Sequence, residues 1–431
     1  MKVVVIGCGP AGVVASLTVR KLSPKADITV VGKDPIFVRC SAPYVLAGTV
    51  KLKKCIEPDS MLNANRIKVV RDEVVDIDTD SVKLKSGNKS VGYDYLVIAT
   101  GARPFLPHIE GIGLKGVFVI RTPQDVMSLK KHLRKTKNVC ILGGGMIGVE
   151  TAALLSKKHK ITLVEMLPSI LSASYDTEIT RKVEGMLKKM GISLFLGKAV
   201  KRINGSDSAE SIMMGNIDIK ADAVLVTAGV RPETVIAKKA GIAVGRFGII
   251  TDRHMETSMK NVYAVGDCVQ TTHMITRKPA GSGLATNAVL QAKVAAMRIS
   301  GLKAAYDGAL NASVTQIAEL SLGTVGLTEM QAKKSKIRHK CGRSETTTKY
   351  AMQPGAKPLF TKLLFDSRNK IIGAQAMGSG GIVPGIINLI SFAIQKGSTM
   401  DDLKGMDYSA HPELTPLPFA DPIVMACEDV K

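Results

Sequence analysis

Two stretches of the chain carry the same order of apolar run, glycine turn and apolar-faced helix. Val3 to Ile6 leads into Gly7-Cys8-Gly9-Pro10-Ala11-Gly12, and Val139 to Leu142 leads into Gly143-Gly144-Gly145-Met146-Ile147-Gly148. A short unbroken apolar run bounded by glycine predicts a strand buried on both faces. The order strand, tight turn, helix lets bare backbone approach a pyrophosphate and aims a helix N-terminus at its charge. A second apolar strand follows each turn, ITVVGKD at 28–34 and ITLVE at 161–165. Both units then close on one pattern, YDYLVIATGARP at 93–104 and ADAVLVTAGVRP at 221–232, so that Ala99-Thr100-Gly101 and Gly229 fall at matching turns. The repeat predicts an internal duplication and two dinucleotides, of which FAD plus a nicotinamide is the simplest pair.

The remaining patterns complete an α/β reading with three domains. An alternating, turn-rich stretch runs from Ile67 to Leu84, and MKNVYAVGDCV precedes a long helix from Gly283 to Ile299. The last 120 residues have no glycine turn; strands at Thr361–Phe365 and Ile371–Ala376 precede a helix at Gly385–Gln395. The expected division is 1–109 and 247–310 for one nucleotide, 110–246 for the other, and 311–431 as a third, α+β domain. A chain of 431 residues has room for about three cores.

Composition narrows the function classes. The seven cysteines form no CxxC pair and no zinc spacing, so no metal site and a reducing, cytoplasmic setting are expected. Cys8 and Cys140 fall on or beside apolar strands and read as packing residues. No apolar stretch is long enough to span a bilayer, and with the first strand beginning at Met1 no signal peptide is expected. Lys and Arg number 59 against 37 acidic residues, a net charge of +22. No aromatic-interleaved basic patch accompanies it, so nucleic acid is not the expected partner. A lysine-rich solvated surface accounts for the charge; attraction of nucleotide phosphates, coenzyme A or an acidic electron carrier is the functional reading.

Two side chains stand out before any family is invoked. Glu165 ends its strand 22 positions after Gly143, where a carboxylate accepts from a ribose 2′-hydroxyl and repels a 2′-phosphate. NADH is therefore expected over NADPH. Cys40, in RCSAPYV, lies just past the second strand of the first unit, with Arg39 beside it as a device for keeping it a thiolate.

The whole chain resembles the pyridine nucleotide-disulfide oxidoreductase family. It looks most like the single-cysteine branch of coenzyme A disulfide reductases, persulfide reductases and NADH oxidases. The matching residues are GCGPAG at 7–12, CSAPY at 40–44, DEVVDID at 72–78, ATGARP at 99–104, GGGMIGVE at 143–150, VGDC at 265–268, VGLTEMQA at 325–332 and KLLFDSRNKIIGAQAMG at 362–378. The resemblance implies two Rossmann-like domains, for FAD and NAD(P)H, and a C-terminal α+β dimerisation domain that makes a homodimer. It places Gly7, Gly9, Pro10, Ala11, Gly12, Ala99, Thr100, Gly101 and Asp267 at FAD, with the backbone near Val74 at the adenine. Gly143, Gly145, Met146, Ile147, Gly148, Glu165 and Gly229 go to the nicotinamide nucleotide, and Glu150 either lies between the two cofactors or complements the helix dipole from the first turn. One departure is Gly32, at a position where an acid ordinarily holds the FAD ribose; Lys33 and Asp34 follow, and Asp34 is the candidate substitute.

The resemblance also fixes the expected chemistry. Position 45 is Val, so the second cysteine of an internal disulfide is missing and Cys40 acts alone, through a mixed disulfide, persulfide or sulfenic acid. The family places this cysteine at a helix N-terminus, where Pro43 is tolerated. The single-cysteine peroxidase and many NADH oxidase relatives carry a histidine in the first glycine turn, whereas this chain has Cys8-Gly9-Pro10-Ala11. A small sulfur substrate, including a coenzyme A derivative, is the expected acceptor; NADH oxidase activity and an electron-transfer subunit are the alternatives. The segment SAHPELT at 409–415 resembles the stretch in which a partner-subunit histidine serves the thiol, which makes His411 the candidate base, with Tyr408 beside it. The family's acid five residues beyond is Pro416 here.

Overall fold

A computed structural model describes residues 1–87 and 89–430. The chain divides into two compact units, one of residues 1–105, 119–130 and 229–309, the other of 106–118, 131–228 and 310–431.

The first unit is built on a parallel sheet. Lys2–Ile6 lies at its centre, between Asp27–Val31 and Tyr95–Ile98, with Ile67–Val70 and Val262–Ala264 at the two edges. Val3, Val5, Val30, Leu96, Val97 and Ile98 are completely buried, as a strand covered on both faces requires. The helix Pro10–Leu22 covers the sheet together with Ala285–Ile299, whose alanines pack on it closely. A three-stranded meander, Val74–Ile77, Ser81–Leu84 and Ser90–Gly92, accounts for the alternating stretch around residue 80.

The second unit repeats this plan. Asn138–Leu142 is flanked by Lys160–Glu165 and Ala223–Val226, with Ser193–Leu196 and Val117–Phe118 outermost, all parallel. Its own meander is Arg202–Asn204, Ser211–Met214 and Ile217–Lys220. The ends of the duplicated motifs meet within the first unit: Ala102–Pro104 pairs antiparallel with Val230–Pro232, Arg103 opposite Arg231.

The second unit also holds an antiparallel sheet of five strands, Ser313–Ile317, Leu320–Gly326, Ile371–Gly378, Pro358–Asp366 and His339–Thr347 in spatial order. The helix Ile382–Lys396 lies against it, with Val383, Ile387 and Ile390 inward. Pro384 sits in the first turn, where its missing N–H has no cost, so the helix begins three residues before the sequence pattern places it. Among the described residues no helix is long and apolar enough to cross a membrane.

Candidate functional site

The first glycine turn has the geometry of a nucleotide cradle. Gly7 has φ 113° and its amide donates to Val31 O at 2.7 Å, which turns the chain off the strand. A Cβ at Gly12 would lie 2.0 Å from Gly7 O, so only glycine lets the helix come this close to the turn. Gly9 caps the helix and Pro10 fills its first position, with Ala11 buried. Gly266 and Asp267 are placed nearby by the buried Gln291, whose Oε1 accepts the Gly266 amide at 2.8 Å. Thr100 donates its hydroxyl to Glu233 O at 2.7 Å, beside the left-handed Gly101 and the buried Ala99.

Two arginines join this cradle that sequence reasoning did not assign to it. Arg121 reaches Asp267 at 3.5 Å, and its Nη2 would be 3.1 Å from a Cβ at Gly101. Arg39 lays its guanidinium over the turn, Nη1 3.5 Å from a Cβ position at Gly9. Its Nε is buried without a hydrogen-bond partner among the described residues. Burial and the Arg121 charge lower the Arg39 pKa, offset in part by Asp267 and Asp34. A desolvated, incompletely paired cation above a glycine turn fits the diphosphate of FAD. Arg39 is thus directed to the glycine turn.

The ribose end of this cradle departs from the usual arrangement for a physical reason. A Cβ at Gly32 would stand 2.7 Å from Cys8 Sγ, so the thiol fills the space an acid there would need. Arg71 closes the corner: its Nη1 donates to Gly32 O and to the Asp34 carbonyl and approaches Cys8 Sγ at 3.3 Å, while its other nitrogens grip Asp59. Lys33 is exposed and faces Glu73 at 3.6 Å; Val74 begins the meander and packs on the core.

The second cradle repeats the first. Gly143 has φ 117°, a Cβ at Gly148 would be 2.0 Å from Gly143 O, and a Cβ at Gly145 would meet nothing within 4 Å. Met146 and Ile147 open the helix, with Ile147 exposed, and Glu150 lies in its second turn. Glu165 is fixed by two backbone donors, Gly144 N–H at 2.6 Å and Leu167 N–H at 2.7 Å. The carboxylate is therefore held at the mouth of the turn before any ribose arrives. Gly229 lies in the first unit, φ 106°, its carbonyl accepting from Phe105 N–H at 2.9 Å.

Cys40 occupies a single helical turn, Arg39–Ser41, that runs directly into the helix Ala42–Ala47. That helix has six residues and Pro43 at its second position, so its dipole is short. The turn is anchored by the hairpin of Ile36–Phe37 with Ile56–Glu57 and by Val38 N–H donating to Cys55 O at 2.8 Å. The thiol itself is exposed, whereas Cys8, Cys55, Cys140, Cys268 and Cys427 are buried. Burial raises the pKa of Cys8, Cys140 and Cys268 and pushes Cys427 up to about 12, which keeps those sulfurs protonated and inert.

His411 and Tyr408 belong to the second unit. The His411 ring is exposed and its Nδ1 accepts from Glu413 N–H at 3.2 Å, which leaves the proton of the neutral ring on Nε2. Tyr408 donates its hydroxyl to Pro418 O at 2.7 Å.

Residues 1–292 match the pyridine nucleotide-disulphide oxidoreductase family, and residues 312–417 match that family's dimerisation domain. The chain belongs to this family. Across its whole length it is 34% identical to an NADH oxidase of Methanocaldococcus jannaschii, covering 98% of that protein. It is 32% identical, again over the whole chain and 98% of the relative, to the NAD(P)H coenzyme A polysulfide/persulfide reductase of Pyrococcus horikoshii. The solved structure of an NAD-dependent persulfide reductase from A. fulgidus superposes with a TM-score of 0.95 at 30% identity, over 99% of this chain and 82% of that one. The fold is therefore the expected one, two nucleotide-binding domains and a dimerisation domain, and the protein is an FAD-dependent NAD(P)H oxidoreductase.

Proposed function

We propose that this chain is a homodimeric, cytoplasmic NADH-dependent reductase of a small disulfide, persulfide or polysulfide, acting through Cys40. The observation that carries the reading is the contrast among thiols: of the seven, five are buried, Cys341 is half-buried and Cys40 is exposed, on a turn whose neighbouring Arg39 lies over the first glycine cradle. In this reading residues 1–109 and 247–310 hold FAD together with 119–130, which belong to the same unit; the rest of 110–246 holds NADH, and 311–431 form the dimer. FAD is held by Gly7, Gly9, Gly12, Arg39, Arg121, Thr100, Gly101 and Asp267. When bound, it supplies the two-electron store between nicotinamide and thiol. NADH is held at Gly143, Gly145 and Gly148, with Glu165 accepting from its ribose diol.

The Cys40 thiolate attacks one sulfur of the substrate, breaks the sulfur–sulfur bond and releases the other sulfur as a thiolate. Two electrons from NADH then cleave the mixed disulfide at Cys40, so that one NADH and one proton yield NAD⁺ and two thiol groups from a disulfide. In this reading His411 of the partner subunit is the base that serves the thiol, and as the imidazolium it returns that proton to a departing thiolate. The +22 charge and the named coenzyme A-dependent relatives favour an anionic substrate such as a coenzyme A derivative.

The NADH oxidase named among the relatives gives the second reading, and an acidic electron carrier a third. Anaerobic mixing with NADH, followed by coenzyme A disulfide, polysulfide, oxygen or reduced-carrier assays, separates them. Reoxidation by the sulfur compounds at the steady-state turnover rate supports the proposal; reoxidation by oxygen or carrier alone contradicts it.

A further inference from the structure

A cluster of charges around a buried lysine stands at the far end of the loop that follows Glu165. Residues 166–175 join the strand Lys160–Glu165 to the helix Thr177–Lys189, all within the second unit. Midway along, the loop is stitched to the nucleotide turn. Leu171 N–H donates to Gly144 O at 2.8 Å, and Gly144 N–H donates to Glu165 in return. Leu171 takes φ 55°, a strained value for leucine that the surroundings must enforce. Ile170 is buried and would touch a Cβ at Gly144 at 2.8 Å.

The loop's other end is clamped by the antiparallel sheet. Asp176 N–H donates to Gln375 Oε1 at 2.7 Å, and the Asp176 carboxylate accepts from Gln375 Nε2 at 2.7 Å and from Glu329 N–H at 3.0 Å. Gln331 Nε2 donates to Ala173 O at 2.9 Å. At the centre is Lys362, 1% exposed, whose ammonium meets Asp176 at 3.0 Å and Glu178 and Glu329 at 2.9 Å. Arg343 and Lys333 supply the balancing charges on Glu178 and Glu329. Lys362 and its three carboxylates thus fill all three ammonium donors. A buried ion cluster of this kind is weak evidence for added stability, because desolvation offsets its attraction; what it secures is one geometry.

We propose that Lys362, with Asp176 and Gln375, is a positioning residue for the nicotinamide nucleotide. By fixing the end of the 166–175 loop it keeps Leu171 in its left-handed conformation, Gly144 in place and Glu165 aimed at the ribose. The inference rests on the assignment of Glu165 to that ribose. No other side chain of the loop carries the charge that discriminates the 2′-phosphate, so a displaced loop loosens affinity and preference together.

The test uses the FAD-loaded dimer and its Lys362→Met, Lys362→Arg, Asp176→Asn and Glu165→Ala variants. For Lys362→Met the NADH KM and the dissociation constant of NAD⁺, read by calorimetry, rise about tenfold while kcat stays within about twofold. The NADH-over-NADPH preference narrows, and Lys362→Arg restores part of it. Asp176→Asn, which keeps the side-chain shape, gives the same pattern more weakly and serves if Lys362→Met fails to fold. A lowered melting temperature with unchanged NAD⁺ affinity, KM and preference in the folded variants overturns the proposal. An unchanged preference in Glu165→Ala overturns the ribose assignment and the proposal with it; a changed preference there with none in Lys362→Met or Asp176→Asn overturns the positioning role alone.

Discussion

Replacing Glu165 with glutamine removes one charge and keeps the shape, and the structure sets the scale of the result. The carboxylate accepts from two backbone amides, Gly144 at 2.6 Å and Leu167 at 2.7 Å, and still has lone pairs for a ribose hydroxyl. A hydrogen bond to a charged acceptor contributes about 1.5–3 kcal/mol and a neutral one about 1 kcal/mol. Turning the ribose contact from charged to neutral therefore costs about 0.5–2 kcal/mol, or roughly a two- to thirtyfold rise in the NADH KM. NADPH does not gain from that contact and is repelled by the charge, so its KM should stay level or fall. The glutamine NH2 cannot accept, so one of the two backbone bonds is lost; that loss falls on both nucleotides and cancels in the ratio. Steady-state kcat/KM for NADH and NADPH on the same enzyme gives that ratio directly. A ratio unchanged within about twofold would show that Glu165 does not face the ribose, whatever happens to either value alone.

The arginines over the first glycine turn should govern FAD retention. Arg39→Met should release flavin on dilution or gel filtration more readily than the parent, and flavin-to-protein absorbance ratios that match the parent would refute the assignment. Acid should test the Lys362 cluster. Hydrogen bonds from Lys333 and Lys362 bring the Glu329 pKa down from the ordinary 4.5 to about 2, and Lys362 and Arg343 hold Glu178 low against its burial. A depressed carboxyl contributes its stabilisation in full above its unfolded pKa and loses it as pH falls through the folded one. The melting temperature should consequently drop between pH 4.5 and about 2, and Glu329→Gln should flatten that drop; parallel curves would contradict it.

The parts of the fold legible in the sequence were those written locally. Each glycine turn followed an apolar run and preceded a helix, and both cradles took the expected strand–turn–helix form with Gly12 and Gly148 packed against Gly7 and Gly143. The duplicated endings were legible as a repeat, but their pairing through Arg103 and Arg231 was not, since strand partners are chosen by tertiary geometry. Arg121 escaped notice for the same reason: its partner Asp267 is far away in the chain, and nothing around Arg121 resembles a phosphate motif. Lys362 sat in the strand expected at Thr361–Phe365 with nothing local to single it out, and only the structure brings Asp176, Glu178 and Glu329 around it. Gly32 was legible as an anomaly whose cause, the neighbouring Cys8 sulfur, lay in another strand's turn.

The central claim stands or falls on Cys40→Ser. The exposed thiol and the shape of its turn make this a nearly isosteric exchange that leaves both glycine cradles intact. The variant should keep its FAD and still be reduced by NADH in anaerobic stopped-flow. Its turnover on coenzyme A disulfide, persulfide or polysulfide should fall by roughly a hundredfold or more, because serine forms no mixed disulfide. Sulfur reduction surviving at the parent rate in a flavin-loaded Cys40→Ser enzyme would contradict the account.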